Sequence, residues 1–382
     1  MRIGVDARFW GPQESGIGRY LDRLIAHLAT IESTEEVIFF LREEVVAQWP
    51  YNRPNWRVVP VRARWYSLRE QLVLPRVFRR EKLDVLHVPH YNLPLLYRGK
   101  TIVTIHDFIL DDFPTARSST LGPALFWVKM MAYRLTMWNA IRHASAIITI
   151  TEFSRMKILK KFPSAADKIH VTYEATDPLV GDADWSAVQA KGVQSPYILY
   201  AGNTYPHKNL ERFLEAAQQV MAGGDDFQIV LVGKRDFFSR RLQWRVDSRQ
   251  MKRIVFYGYA TDGELRLLYE HAQAYFFPSL SEGFGLPGLE AMQYGAPVYA
   301  ANNSCLPEVY GAAANYFDPL SRDDIAASIK RSLHDILERQ RLIEAGKQRI
   351  HDFSWQRMAE QTMAVYRQAA NHGQTSTNQK HS

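Results

Sequence analysis

Only one cysteine, Cys305, occurs among 382 residues. An intramolecular disulfide and a cysteine-rich metal site are therefore excluded, and a reducing, cytoplasmic setting is the expectation, with Cys305 as a small apolar filler. No run approaches the roughly 18 consecutive apolar residues that a membrane-spanning helix needs. At the start, Asp6 and Arg8 interrupt the short apolar segment Ile3-Gly4-Val5 before a secretory signal can form. No internal repeat of short fixed period is present. Asp182-Ala183-Asp184 has the spacing of a metal-binding acid pair but no flanking strand, so it reads as a chance pairing, and neither a metal nor another cofactor is expected.

Acidic charge is short in one half of the chain. Residues 1–180 carry 25 Lys and Arg against 18 Asp and Glu, whereas the remainder balances at 22 against 22, so the whole net charge of +7 lies in the first half. Such an imbalance points the first half toward an anionic partner such as a lipid phosphate or a membrane surface. Hydrophobic residues, at 46%, suffice for more than one core, and the length fits two domains.

The most informative stretch runs Ser279-Leu280-Ser281-Glu282-Gly283-Phe284-Gly285-Leu286-Pro287-Gly288-Leu289-Glu290. An apolar strand pattern over residues 274–277 precedes it, and Pro287 opens a helical pattern after it. Gly283 and Gly285 allow close approach of backbone to a ligand, and the N–H groups and dipole of a helix start favour an anion such as phosphate. Two acids, Glu282 and Glu290, bracket this cradle. A carboxylate only accepts hydrogen bonds, so beside a phosphate site it suits neutral hydroxyls such as those of ribose or hexose. The plain alternative is a solvated turn before a packing helix.

The stretch resembles the Glu-x7-Glu signature of the retaining glycosyltransferases of family four, and the similarity extends through Ala291-Met292, Gly295-Ala296-Pro297-Val298 and Leu306-Pro307-Glu308-Val309. The resemblance implies the GT-B fold: two facing Rossmann-like α/β domains with parallel sheets and a C-terminal helix crossing back to the first domain. It also implies that Glu290 holds the nucleotide ribose and Glu282 the donor hexose. Gly283, Phe284, Gly285 and Leu286 complete that side of the donor site.

Along the chain, residues 2–7 read as a strand, followed by a second glycine-rich junction through Gly16-Ile17-Gly18-Arg19 into an amphipathic helix. The resemblance sets Gly16 and Gly18 against the donor phosphates. Residues 67–82 read as a helix with Arg76, Arg79 and Arg80 beside Leu72, Val73, Val77 and Phe78; this is either a solvated face or a basic interfacial helix. The strand pattern at 101–105 ends in His106-Asp107, where open α/β sheets place ligands. The resemblance gives His106 to the donor sugar, with Asp107 orienting it. Residues 123–142 are apolar nearly all round, which reads first as a buried core helix and second as a groove for an acceptor lipid. Thr151 and Ser154 are candidate helix caps.

Residues 171–173 read as the strand that closes the first domain, assigned to 1–178, and 179–195 as a linker. A second domain spans 196–352, a closing helix 353–370 and a disordered tail 371–382. Its first strand ends in Ala201-Gly202-Asn203, then His207-Lys208-Asn209, resembling the family's pyrophosphate site. Asn203 stands where many members carry arginine, so Lys208, aided by Lys234 or Arg235, must offset the leaving diphosphate.

The expected activity is metal-independent hexosyl transfer with retention, with mannose from GDP-mannose as the donor and a glycan or lipid-linked acceptor of surface polysaccharide or glycolipid synthesis. The expected location is cytoplasmic, peripheral at the inner membrane face, without nucleic acid as a partner. The rivals are a nucleotide-sugar epimerase of similar fold, which needs more acid-base groups near the sugar than His106 and Glu282, and a non-catalytic basic protein binding membrane or nucleic acid, which has no use for paired acids.

Overall fold

The computed structural model describes residues 1–11, 16–63, 65–114 and 123–371. They fall into two compact units, each built on its own parallel sheet. The first runs to Phe108, resumes before the helix Pro123–His143, continues to Glu174, and takes in the C-terminal helix Trp355–Asn371. The second comprises the short helix Ile109–Asp112 and residues Ala175–Phe353.

The first sheet has β1 (Arg2–Asp6), β2 (Glu36–Arg42), β3 (Trp56–Val61), β4 (Val85–Val88), β5 (Thr101–Ile105), β6 (Ala146–Thr149) and β7 (Ile169–Val171), in the order β3-β2-β1-β4-β5-β6-β7. Every residue of β4, β5 and β6 is buried, as a parallel sheet covered by helices on both faces requires. The chain first adds strands on one side of β1 and then returns to add β4 on the other. The closing helix Trp355–Asn371 buries Trp355, Met358, Met363 and Tyr366 and lies along the helix Gly16–Leu28. It is tied down by Tyr366, whose hydroxyl is 2.7 Å from His87 Nδ1, and by Arg367, which donates to Glu35 at 2.8 Å. The Arg367 hydrogen bonds hold the Glu35 carboxyl down at about 2.

The second sheet has β8 (Tyr197–Ala201), β9 (Gln228–Val232), β10 (Ile254–Gly258), β11 (Ala274–Phe277), β12 (Val298–Ala301) and β13 (Ala314–Phe317), in the order β10-β9-β8-β11-β12-β13. Its order reverses between β8 and β11, which pair in register Ala274↔Ile198 and Tyr275↔Leu199. That reversal opens a crevice at the carboxyl ends of these two strands. Side-chain caps set the helix starts: Thr151 accepts from the Ser154 N–H, and Thr261 and Glu264 form a reciprocal capping box.

Several expectations need correction. The stretch 179–195 is not a featureless linker. It contains the helix Trp185–Ala190, whose N-cap is Asp184, and Trp185 stacks on His271 at 4.1 Å. A six-residue helix is too short to show periodicity, and the cap accounts for one acid of Asp182-Ala183-Asp184. The last strand of the first sheet is Ile169–Val171, two residues earlier than read.

The helix Pro123–His143 is not a wholly buried core helix. Phe126, Met130, Tyr133 and Met137 are buried, but the opposite side is open. Composition gave both sides the same apolar character, and only packing shows which one faces the sheet. The tail from residue 372 lies outside the described residues.

Candidate functional site

The crevice at the β8–β11 reversal is built from two loops strapped together. After β8, a 3-10 turn Pro206–Lys208 leads into Asn209, whose φ of 59° is left-handed, and then into the helix Leu210–Ala222. After β11, the chain passes through Ser279 to Gly285, itself at φ +97°, into the helix Leu286–Gln293 with proline at its start. Three successive residues of the first loop bind the second. The His207 carbonyl accepts from the Leu280 N–H at 2.7 Å. The Lys208 ammonium donates to Glu282 Oε1 at 2.6 Å, and the Asn209 amide donates to the Pro278 carbonyl at 3.1 Å. Ser281 donates to Asp112 at 3.0 Å, which ties the helix Ile109–Asp112 to the same loop.

The charges here are largely withdrawn from water. The Lys208 and Glu282 side chains are 11% and 9% exposed, and Lys208 also lies 5.4 Å from the Phe277 ring centroid. Burial, reinforced by the neighbouring Lys208 charge, pushes the His207 imidazole down to about 4, so it is neutral at physiological pH. Glu290, 5% exposed, accepts from the Tyr269 hydroxyl at 3.3 Å. Ser279 Oγ, in the same loop, is buried and finds no hydrogen-bond partner among the described residues. The Lys208–Glu282 pair thus lies in the loop that feeds this helix, and Glu290 lies within the helix itself.

Two glycines at that helix start answer to one tyrosine. The Tyr310 hydroxyl donates to the Gly285 carbonyl at 2.6 Å. A Cβ at Gly288 would lie 2.2 Å from the same hydroxyl, and one at Gly285 2.6 Å from it. Phe284 is 3% exposed and packs edge-on to Phe353. Leu286 is half-buried, and Asn203 is exposed, with its carbonyl accepting from Tyr200 at 2.6 Å.

In the first unit, His106 follows β5. Its Nε2 is 3.0 Å from the Pro89 carbonyl, which only accepts, so Nε2 carries a hydrogen; Nδ1 is 3.6 Å from Glu174. Glu174 is thus an acid beside the ring that sequence reasoning missed. No sequence pattern marked it, because it comes from a segment nearly seventy residues further on, in the loop after β7. Gly16 and Gly18 begin the helix Gly16–Leu28, but the loop before them, residues 12–15, lies outside the described residues. Among the described residues nothing lies within 4 Å of a Cβ at Gly16. Among the described residues no group of three or more His, Cys, Asp or Glu is placed to hold a metal ion.

Comparison with known proteins gives two adjoining matches: residues 15–178 to Glycosyltransferase Family 4, and residues 182–349 to Glycosyl transferases group 1. The chain belongs to the family-four glycosyltransferases. This glycosyltransferase is 29% identical over 380 residues to O-antigen chain mannosyltransferase B of Escherichia coli, covering 92% of this chain and 96% of that one. It is 28% identical to MMP alpha-(1->4)-mannosyltransferase of Mycolicibacterium hassiacum, over 86% and 78% of the two chains. Among solved structures, sucrose-phosphate synthase from Thermosynechococcus elongatus superposes with a TM-score of 0.74 at 20% identity, over 96% and 98% of the chains. The two Rossmann-like units are thus those of the GT-B fold, and the glycosyltransferase is an enzyme of the hexosyltransferase class.

Proposed function

We propose that this glycosyltransferase moves a mannosyl residue from GDP-mannose to a glycan or lipid-linked acceptor, with retention and without a metal ion. The observation that carries the reading is the buried Lys208–Glu282 pair at the β8–β11 reversal, in the loop that leads into the helix carrying the buried Glu290. Mannose is favoured because two relatives that span most of the chain are named for mannosyl transfer, although a third of similar coverage is named alpha-maltose-1-phosphate synthase.

In this reading Glu290 accepts hydrogen bonds from the two ribose hydroxyls, which a carboxylate does without needing a counter-charge. The donor diphosphate draws the Lys208 ammonium away from Glu282, which frees Glu282 to accept from hydroxyls of the hexose. Ser279 Oγ and the N–H groups of the Leu286–Gln293 start are further donors toward the diphosphate. As the anomeric bond breaks, negative charge grows on the leaving phosphate oxygen, and Lys208 stabilises that charge more than it stabilises the bound ground state. The acceptor hydroxyl attacks on the same face and passes its proton to the leaving phosphate; the products are the mannoside and GDP. His106 is assigned to a donor-sugar hydroxyl, following the resemblance.

The test is calorimetric titration with GDP-mannose, UDP-glucose and UDP-galactose in excess chelator, followed by turnover with the donor that binds. Binding of GDP-mannose and transfer that persists in chelator support the reading. Selective binding of a UDP-sugar would overturn the mannosyl assignment, and transfer abolished by chelator and restored by magnesium would overturn metal independence.

A further inference from the structure

We propose that the open face of the helix Pro123–His143 lies in the interface of an anionic lipid bilayer. Leu125, Trp127, Val128, Met131, Leu135 and Trp138 each keep 45–67% of their surface exposed, whereas Phe126, Met130, Tyr133, Met137, Ala140 and Ile141 are buried. At about 100° per residue these two sets occupy opposite sides of one helix. One apolar strip holds the helix onto its own unit and a second, equally apolar, is turned outward. A contiguous exposed strip of large apolar side chains marks a surface that something covers.

The charges on this helix say what covers it. Lys129 and Arg134 fall at the two edges of the outward strip, and Arg142 and His143 lie at its end. The helix carries no acidic residue at all. Long cationic side chains at the rim of an apolar face can place their stems against acyl chains and their heads among phosphates. Trp127 and Trp138, eleven positions apart, are the kind of residue that settles at headgroup level. A second copy docked face to face would instead bring Lys129, Arg134 and Arg142 against like charges with no carboxylate on the helix to offset them. The unit to which the helix belongs also carries the whole positive excess of the chain. No helix among the described residues is long and apolar enough to cross a membrane, so the contact is one of lying on the surface.

The arginine-bearing helix Leu68–Arg80 fits this role less well than its sequence suggested. Its Leu74 and Phe78 are fully buried. Arg79 donates to the Leu96 carbonyl at 2.6 Å and Arg76 to Leu72 of its own helix. Of the apolar residues beside its arginines, Phe78 is packed, Val73 and Val77 are half-buried, and Leu72 alone is exposed, at 55%.

The inference stands apart from the donor assignment and is tested without turnover. The full chain is floated with phosphatidylcholine vesicles, with and without phosphatidylglycerol, at low and high salt. A triple variant, Trp127→Ser with Met131→Ser and Leu135→Ser, is compared with Arg76→Gln with Arg79→Gln and Arg80→Gln. All three outward positions are exposed, so thermal unfolding close to that of the parent is expected. Flotation with the anionic vesicles only, weakened by salt and cut roughly tenfold or more by the serine variant, is the expected result. Full loss in the glutamine variant with none in the serine variant would overturn it, as would failure of the parent to float. Parent self-association in light scattering that the serine variant abolishes, without any flotation, would assign the face to a second copy instead.

Discussion

The Lys208 ammonium and the Glu282 carboxylate meet at 2.6 Å although 74 residues separate them, and both are almost fully withdrawn from water. Each is thereby satisfied at the same place where the proposed donor needs both, one for diphosphate and one for sugar.

Removing one partner strands the other as a buried charge, which costs about 3–5 kcal/mol. Lys208→Met and Glu282→Gln are each expected to unfold earlier and to lose transfer activity. The double variant should regain much of the lost stability and none of the activity. A thermal double-mutant cycle with parallel turnover assays checks this; a double variant less stable than either single one would show that the two groups are not coupled.

Glu290→Gln keeps the size of the side chain and the Tyr269 contact but loses the charge. Hydrogen bonds to a charged group are worth about 1.5–3 kcal/mol, so donor affinity should fall by roughly ten- to a hundredfold in calorimetry. Unchanged donor affinity would remove Glu290 from the ribose.

Gly288→Ala forces a Cβ to within 2.2 Å of the Tyr310 hydroxyl, and the ring carbon Cζ is nearly as close at 2.3 Å. Overpacking of this kind costs about 1–3 kcal/mol. Alanine at 288 should lower thermal stability and donor binding together, and Tyr310→Ala in the same chain should recover part of the stability. Tyr310→Phe alone tests the 2.6 Å bond to Gly285 without altering volume.

Two buried histidines set a pH window. Burial lowers His207 to about 4 and His87 to about 3 from the usual value near 6.5. Below pH 6.5 the unfolded chain takes up protons that the folded chain refuses. Stability should therefore be level above that point and fall as the pH drops from about 6.5 toward 4, by on the order of 3 kcal/mol for His207 alone. Thermal midpoints across this range check it, and His207→Gln should flatten the slope. A midpoint rising on acidification would contradict the assignment.

The sequence was most legible where the candidate site is a contiguous run. The stretch Ser279 to Glu290, the lysine at 208 and the histidine at 106 were all visible, because a loop between a strand and a helix must carry its glycines, proline and acids in fixed order. It was weakest where one residue type serves two environments. Pro123–His143 shows the same apolar character on both sides, so the pattern could not tell a core helix from one with an open face. Asp184, read as half of a chance acid pair, is a helix cap, a role its spacing did not announce. Arg76, Arg79 and Arg80 sit on a helix that the pattern left open between a solvated and an interfacial face, and packing buries Leu74 and Phe78 while leaving Leu72 exposed.

By itself, then, the sequence determined the two parallel-sheet units and the residues at their strand ends, since both follow from local periodicity and local turn chemistry. Tertiary structure alone decided which distant groups meet. The strand-order reversal at β8 and β11 joined Lys208 to Glu282, the loop after β7 set Glu174 beside His106, and the fold of Tyr310 onto Gly285 and Gly288 fixed the helix start. These pairings depend on where the chain returns in space, which spacing along it does not encode.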